Sequence, residues 1–359
     1  MAQLTYRNRR AVQIENDSVR VTVMVEGGHI AEIVHKASGV NPLWTPPWPS
    51  IEPTTYDPSK HPEYGAPIEG RLLAGILGHN ICLDFFGPPS AEEAAAGLTV
   101  HGEAPVIPYE ISSQRNQITM STTLPHAQLR FKRDIRLDTD GRTVHFSETV
   151  ENLAPIDRPI GWTQHATLGP PFLERGVTQF RASATRSKVA GAAFTPGEVF
   201  YQPDAEFEWP LCPAREGNAA DLQVFTAEQH SGGFTTHLMD PKQENAWFTA
   251  WSPTTKVAFG YIWKREDFPW LGRWEENHLR TQAPWNRRTL TCGMEFGVSP
   301  FPETRRDMVT RSELFDTPAY RWLPARSRLQ TNYCAFIATA ESIPESVAWD
   351  GRDNVQLSS

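Results

Sequence analysis

Leu129-Arg130-Phe131-Lys132-Arg133-Asp134-Ile135-Arg136-Leu137, then Asp138-Thr139-Asp140-Gly141-Arg142, then Thr143-Val144-His145-Phe146-Ser147-Glu148-Thr149-Val150 is the stretch whose reading decides the fold. Thr143–Val150 alternates with period two, so Val144, Phe146 and Glu148 share one face of a strand. Asp140-Gly141 supplies the positive φ angles of a tight turn, and the whole reads as a β-hairpin.

Moving outward, strand signals continue. Arg20–Val25 alternates in the same way, and Trp247–Trp251, Lys256–Trp263 and Thr289–Phe296 read as further strands. Helical periodicity is confined to Ala91–Ala96 and Arg305–Leu314. With 30 Pro and 24 Gly punctuating the chain, long helices have little room. The expectation is an all-β protein, a large antiparallel sandwich with few short helices and long connections. The 359 residues are read as one domain, 1–359, with its core over about 11–340. The Pro-rich stretch 42–67 carries Trp44, Trp48, Tyr56 and Tyr64, and that aromatic density predicts a segment folded back over a core or cleft. The polar terminus Asp350–Ser359 is expected to fray.

Net charge is −8 and no dense Lys/Arg cluster is present, which argues against nucleic acid or an anionic membrane as partner. No run approaches the roughly 18 apolar residues of a membrane span. The N-terminus has no apolar stretch of signal-peptide length, so a soluble cytoplasmic protein is expected. Cys82, Cys212, Cys292 and Cys334 are widely spaced and read as reduced thiols. Phosphate-binding and dinucleotide-binding glycine loops, the Gly-x-Ser-x-Gly elbow and His-Glu-x-x-His are all missing from the sequence.

Four polar segments interrupt the apolar runs: Gly78-His79-Asn80, His101-Gly102-Glu103, Trp162-Thr163-Gln164-His165 and Met294-Glu295-Phe296. A glycine beside an ionisable group lets a ligand or another backbone approach closely. A carboxylate on the apolar strand around Glu295 needs a partner or a task, because burying it unpaired costs several kcal/mol. An arginine salt bridge is its plainest use. With His165 in the same cleft it makes a general acid and base instead. Trp270-Leu271-Gly272-Arg273-Trp274-Glu275-Glu276-Asn277 reads either as a core-packed segment or as a sugar contact, with Trp270 and Trp274 stacking and Arg273, Glu276 and Asn277 as polar partners. A metal site from His79, His101, His165 and Glu295 is the alternative arrangement of the same groups.

These segments resemble, in order along the chain, those of the aldose 1-epimerase (galactose mutarotase) superfamily. Gly27-Gly28-His29-Ile30 and Asn41-Pro42-Leu43-Trp44 are similar to its opening, Gly78-His79-Asn80 to its Gly-Arg-x-x-Asn and His101-Gly102 to its His-Gly. Asn152 with His165 resembles its acid-bearing segment, and Glu295-Phe296-Gly297-Val298-Ser299-Pro300 its base-bearing strand. His79 departs from the family's substrate-binding arginine, and the mid-chain aspartate has two candidates, Asp204 and Asp240. The resemblance implies a galactose mutarotase-like supersandwich. It implies His165, Glu295 and His101 as catalytic groups, with His79, Asn80, Trp162, Trp270, Arg273, Trp274 and Asn277 contacting a small-molecule carbohydrate. It also implies no cofactor and no metal, with protonated His165 and ionised Glu295 opening the sugar ring. A non-catalytic carbohydrate-binding protein of the same fold and a cupin-like metalloenzyme are the other readings. The sugar and the oligomeric state stay open.

Overall fold

Strands Leu129–Leu137 and Thr143–Asn152 pair antiparallel, with Arg133 opposite Glu148. The computed structural model describes residues 4–138, 141–191, 200–215, 217–352 and 354–358, so Thr139 and Asp140 of the expected turn lie outside the described residues. The hairpin belongs to an eight-stranded antiparallel sheet. Its order runs Gln179–Ala182, Asn245–Ser252, Val257–Lys264, Arg328–Thr339, Thr143–Asn152, Leu129–Leu137, Gln117–Leu124, Glu110–Gln114.

The second sheet has twelve strands. Its path runs from Leu4–Tyr6 through Arg9–Glu15, Val19–Met24, Ile30–His35 and His79–Asp84 to Arg158–Leu168. It continues through Leu290–Gly297, Trp270–Asn277, Ser231–Met239 and Ala184–Val189 to Glu206–Glu208, while Arg321–Leu323 pairs with the start of Arg158–Leu168. The inner faces meet in one apolar core, with Val21, Ile33, Leu83, Leu168 and Phe296 from the larger sheet against Ile135, Phe146, Phe248 and Tyr333 from the smaller. Period-two alternation sends every second residue into this layer and the others outward.

The outer face of the larger sheet is where the connections gather. Trp44, Trp48, Tyr56 and Tyr64 are buried there with Leu72, Leu73 and Ile76, so stretch 42–67 folds back as expected. It leads into a helix, Pro67–Gly75, that local sequence signals do not announce: Pro starts it, but Ala66 makes no side-chain cap and Gly70 is a weak helix former within it. Ala91–Ala95 forms a short helix behind a Ser90/Glu93 capping box, and Arg305–Arg311 another capped by Thr304. No helix among the described residues is long and apolar enough to cross a membrane. No disulfide joins the four buried cysteines.

One expectation fails. Among the described residues of the expected stretch Asp350–Ser359, Val355–Ser358 does not fray but pairs with Ser346–Trp349, and Val347 and Trp349 pack on Trp247, Ile262 and Phe336 outside the smaller sheet. The alternation of Val347, Trp349, Val355 and Leu357 places an apolar face on this hairpin, and burying that face holds it down.

Candidate active site

The floor of the site is built by the strand Arg158–Leu168, with His79–Asp84 on one side and Leu290–Gly297 on the other. Trp162, Ala166 and Leu168 point into the core, so His165 and Thr167 point outward. Register sets His165 directly opposite Glu295 on one neighbour and Asn80 on the other. Residues opposite one another in an antiparallel pair have Cβ atoms about 5 Å apart, so the imidazole and carboxylate must meet. They do, with His165 Nε2 3.1 Å from Glu295 Oε1. Gly293 makes room for this: a Cβ there would lie 2.2 Å from Glu295 Oε1. Thr167 Oγ1 bonds His165 Nδ1 at 2.9 Å and fixes the ring.

His101 arrives from a loop. Its backbone takes φ +68°, its N–H donates to Gly87 O at 2.8 Å, and its Nδ1 accepts the Gly87 N–H at 3.2 Å. An accepting Nδ1 leaves the ring proton on Nε2. Gly102 follows because the loop docks hard on the sheet, where a Cβ would come within 2.4 Å of Leu83 O. The His101 ring sits 5.1 Å from His165 and stacks on Phe86 at 5.6 Å.

These groups open into a cleft of about 510 Å³. Phe86, Phe234, Phe301, Trp274 and Trp285 line it, together with Leu72, Leu73 and Ile76 of the helix Pro67–Gly75 and its C-terminal edge. Trp285 is held by Trp44, stacked at 6.1 Å, and by the edge of Trp48 at 5.2 Å. Arg280 lies over Trp285 at 4.7 Å. Glu69, Lys188, Asp204, Glu303 and Arg311 complete the rim.

Burial governs the electrostatics. It pushes the His165 imidazole down to about 4 and holds the Glu295 carboxyl well above the usual carboxylate range. The His101 ring is driven well below its ordinary value, first by burial and then by the neighbouring His165. The family resemblance implies an imidazolium–carboxylate pair. Desolvation instead favours a neutral imidazole beside a protonated carboxyl, which carries the same number of protons. Although His165 and Glu295 are in contact, the ring N–H is not aimed at the carboxylate, and Glu295 Oε1 makes no hydrogen bond among the described residues. Asn80 Nδ2, on the adjoining strand, is likewise without a partner. Each such buried atom costs about 1–3 kcal/mol.

No family model matches the sequence, and no curated protein matches it either. Solved structures do match. A Klebsiella pneumoniae subsp. pneumoniae MGH 78578 protein provisionally named an aldose 1-epimerase superposes with TM-score 0.66 at 13% identity, covering 93% of this chain and 80% of that one. A galactose mutarotase-like protein of Clostridium acetobutylicum gives TM-score 0.59 at 11% identity, covering 94% and 97%. Another of Lactobacillus casei ATCC 334 gives 0.58 at 13%, covering 91% and 100%. The chain has the galactose mutarotase-like fold.

Within the mutarotase-like sandwich, His165, Glu295, His101 and Trp274 converge on the cleft. The other expected contact residues do not line it. His79 faces the core, bonded to Tyr261 OH at 2.9 Å and Gln164 Oε1 at 3.0 Å. Trp162 also faces inward and donates to Glu148 at 3.1 Å. Arg273, one residue from Trp274, takes the opposite face and pairs with Glu275 at 2.6 Å over the Phe180 ring. Trp270 is on the outer side but covered, donating to Pro318 O at 2.9 Å. Asn277 is buried against Glu228 O and Ser231. Asn80 lies beneath the cleft beside Cys82. Since His79 lies on the other side of the sheet, the four residues of the metal alternative do not converge. Among the described residues no three of His, Cys, Asp and Glu are placed to hold a metal ion. Of the two mid-chain aspartates, Asp204 lines the cleft, while Asp240 caps a turn through Lys242 N. Phe86, Phe234, Trp285, Phe301, Lys188 and Glu69 were not anticipated. They come from loops, from strand register and, for Glu69, from the helix Pro67–Gly75, where a single sequence carries little signal.

Proposed function

We propose that the chain is an aldose 1-epimerase-like isomerase that interconverts sugar anomers without a metal. One observation carries the reading: an imidazole and a carboxyl meet at 3.1 Å in an aromatic-lined cleft, and the facing carboxyl oxygen is without a hydrogen bond among the described residues. Aromatic walls suit the apolar faces of a pyranose, and its hydroxyls supply the hydrogen bonds that burial denies to Glu295. Those bonds favour the carboxylate, so sugar binding moves the carboxyl proton to His165. Glu295 then takes the proton of the anomeric hydroxyl as His165 protonates the ring oxygen, and the C1–O5 bond opens to the aldehyde. Rotation about C1–C2 offers the other carbonyl face, and closure reverses both transfers. His101, with its proton on Nε2, donates a hydrogen bond to the ring or its hydroxyls.

The test is NMR exchange or polarimetry on freshly dissolved sugars, wild type against Glu295→Gln. Accelerated equilibration that the substitution abolishes supports the isomerase. Sugar binding with no acceleration in either protein refutes it and leaves a carbohydrate-binding protein, the second reading, which the same aromatic walls favour.

A further inference from the structure

His165, Glu295, Gly272, Thr236 and Lys188 stand on one cross-strand row, each opposite the next in register. Four strand spacings of about 4.8 Å make this row about 19 Å long. His165 occupies one end of it and Lys188 the other, and both line the cleft. On the sheet floor the reacting pair therefore stands at one end of the row and Lys188 at the other. Between the two ends Gly272 has no side chain, and the Phe234 ring lies across it, since a Cβ at Gly272 would meet Phe234 Cζ at 2.5 Å.

An aromatic rail follows the same course. Phe86 stacks on His101 at 5.6 Å, Phe234 is 6.0 Å from Phe86, Phe301 is 6.2 Å from Phe234, and Arg311 lies over Phe301 at 4.7 Å. A single pyranose over the reacting pair does not reach the Phe301–Arg311–Lys188 end, which the described residues leave open.

The charges decide what fills that end. Every cation of the lining already has a carboxylate: Lys188 with Glu206 at 3.6 Å, Arg280 with Glu276 at 3.4 Å, Arg311 with Glu303 at 2.9 Å. Glu69 and Asp204 line the same cleft with no cation within ion-pair distance among the described residues. Arg280 still acts on Glu69 and Asp204 on Arg311, and burial raises the Glu69 carboxyl, so among the described residues no cation of the lining is left over to hold a phosphoryl or uronic carboxylate group. Paired charges and carboxylates suit hydroxyl groups, which donate and accept.

We infer that the cleft takes a neutral oligosaccharide by its reducing end, the terminal ring over His165 and Glu295 and the next ring held on Phe234 and Phe301 by Lys188, Asp204 and Arg311. This rests on the anomer-interconverting reading, because that chemistry needs a free anomeric hydroxyl and so fixes which end lies at the pair.

Two experiments on the full chain test it. Anomer exchange is measured for glucose, maltose, lactose, cellotetraose and glucose 6-phosphate. At least one neutral oligosaccharide is expected to exceed glucose about tenfold in kcat/KM, through KM, and Lys188→Ala or Asp204→Ala lowers that ratio. Glucose or glucose 6-phosphate as the best substrate, or substitutions that leave the ratio unchanged, overturns the inference. Calorimetric binding of the same five sugars to Glu295→Gln separates the two readings. Tighter binding of an oligosaccharide without turnover in wild type sustains the extended site and sinks the isomerase. Equal affinity for all five, or no binding, sinks the extended site.

Discussion

Gln164 and His165 are adjacent in sequence and lie on opposite faces of one strand, and the polar groups around them are treated in opposite ways. On the inner face Arg133 and Glu148 form a fully buried ion pair at 2.6 Å. Gln164 joins both, accepting from Arg133 at 3.0 Å and donating to Glu148 at 2.6 Å. Tyr333 and Trp162 donate to the same carboxylate, and His79, kept neutral by burial and then by Arg133, donates to Gln164. Both Glu148 oxygens are satisfied. On the outer face Glu295 is also buried, and among the described residues its Oε1 has the misaligned His165 contact and no hydrogen bond. The inner network commits its polar groups to holding the sheets together, while the outer pair is held short of partners. A carboxyl short of partners can take them from a ligand.

Breaking the inner network has the largest expected effect. Glu148→Ala leaves Arg133 buried without its counter-charge and lowers unfolding free energy by about 3–5 kcal/mol, read as a lower urea midpoint with unchanged slope. An unchanged midpoint would show that the two faces are energetically alike. On the outer face, Thr167→Val removes the oxygen that orients His165. Anomer exchange falls on the order of ten- to a hundredfold, while stability falls by about 1–3 kcal/mol, less than for Glu148→Ala, as buried His165 Nδ1 loses its partner. Equal damage to stability and rate would mean that Thr167 serves the fold.

The pH profile sharpens the same contrast. The working state holds one proton on the pair. A second proton is added as pH falls through about 4, the lowered value of His165. The last is lost as pH rises through the raised value of Glu295. Anomer exchange is therefore expected to fall at both limbs, and a profile with no acid limb around pH 4 would remove the pair from the mechanism.

How far the sequence spoke depends on parity. Strand alternation places the Thr143–Asn152 hairpin strand and the acid–base candidates, but an odd spacing reverses the face. Trp162 is three residues from His165, and Arg273 is next to Trp274, so neither pair can share the cleft. Parity alone therefore excludes Trp162 and Arg273 as contacts. His79 is different: its face depends on how its strand registers against Arg158–Leu168, with Ala166 opposite, and that is a long-range fact. Trp285 and Lys188 reach the cleft from a loop and from the fourth strand beyond His165, so nothing local marks them.

Thermal unfolding of wild type and Glu295→Gln from pH 4 to pH 8 tests the central claim without a substrate. Because the folded-state value of Glu295 is raised, its neutral form stabilises the fold at low pH, and that contribution is lost as pH climbs above the ordinary carboxylate value. Glutamine stays neutral throughout. The account predicts nearly equal Tm values at pH 4 and a growing advantage for Glu295→Gln toward pH 8. A variant less stable than wild type across the whole range would show that the Glu295 carboxylate is a satisfied structural group.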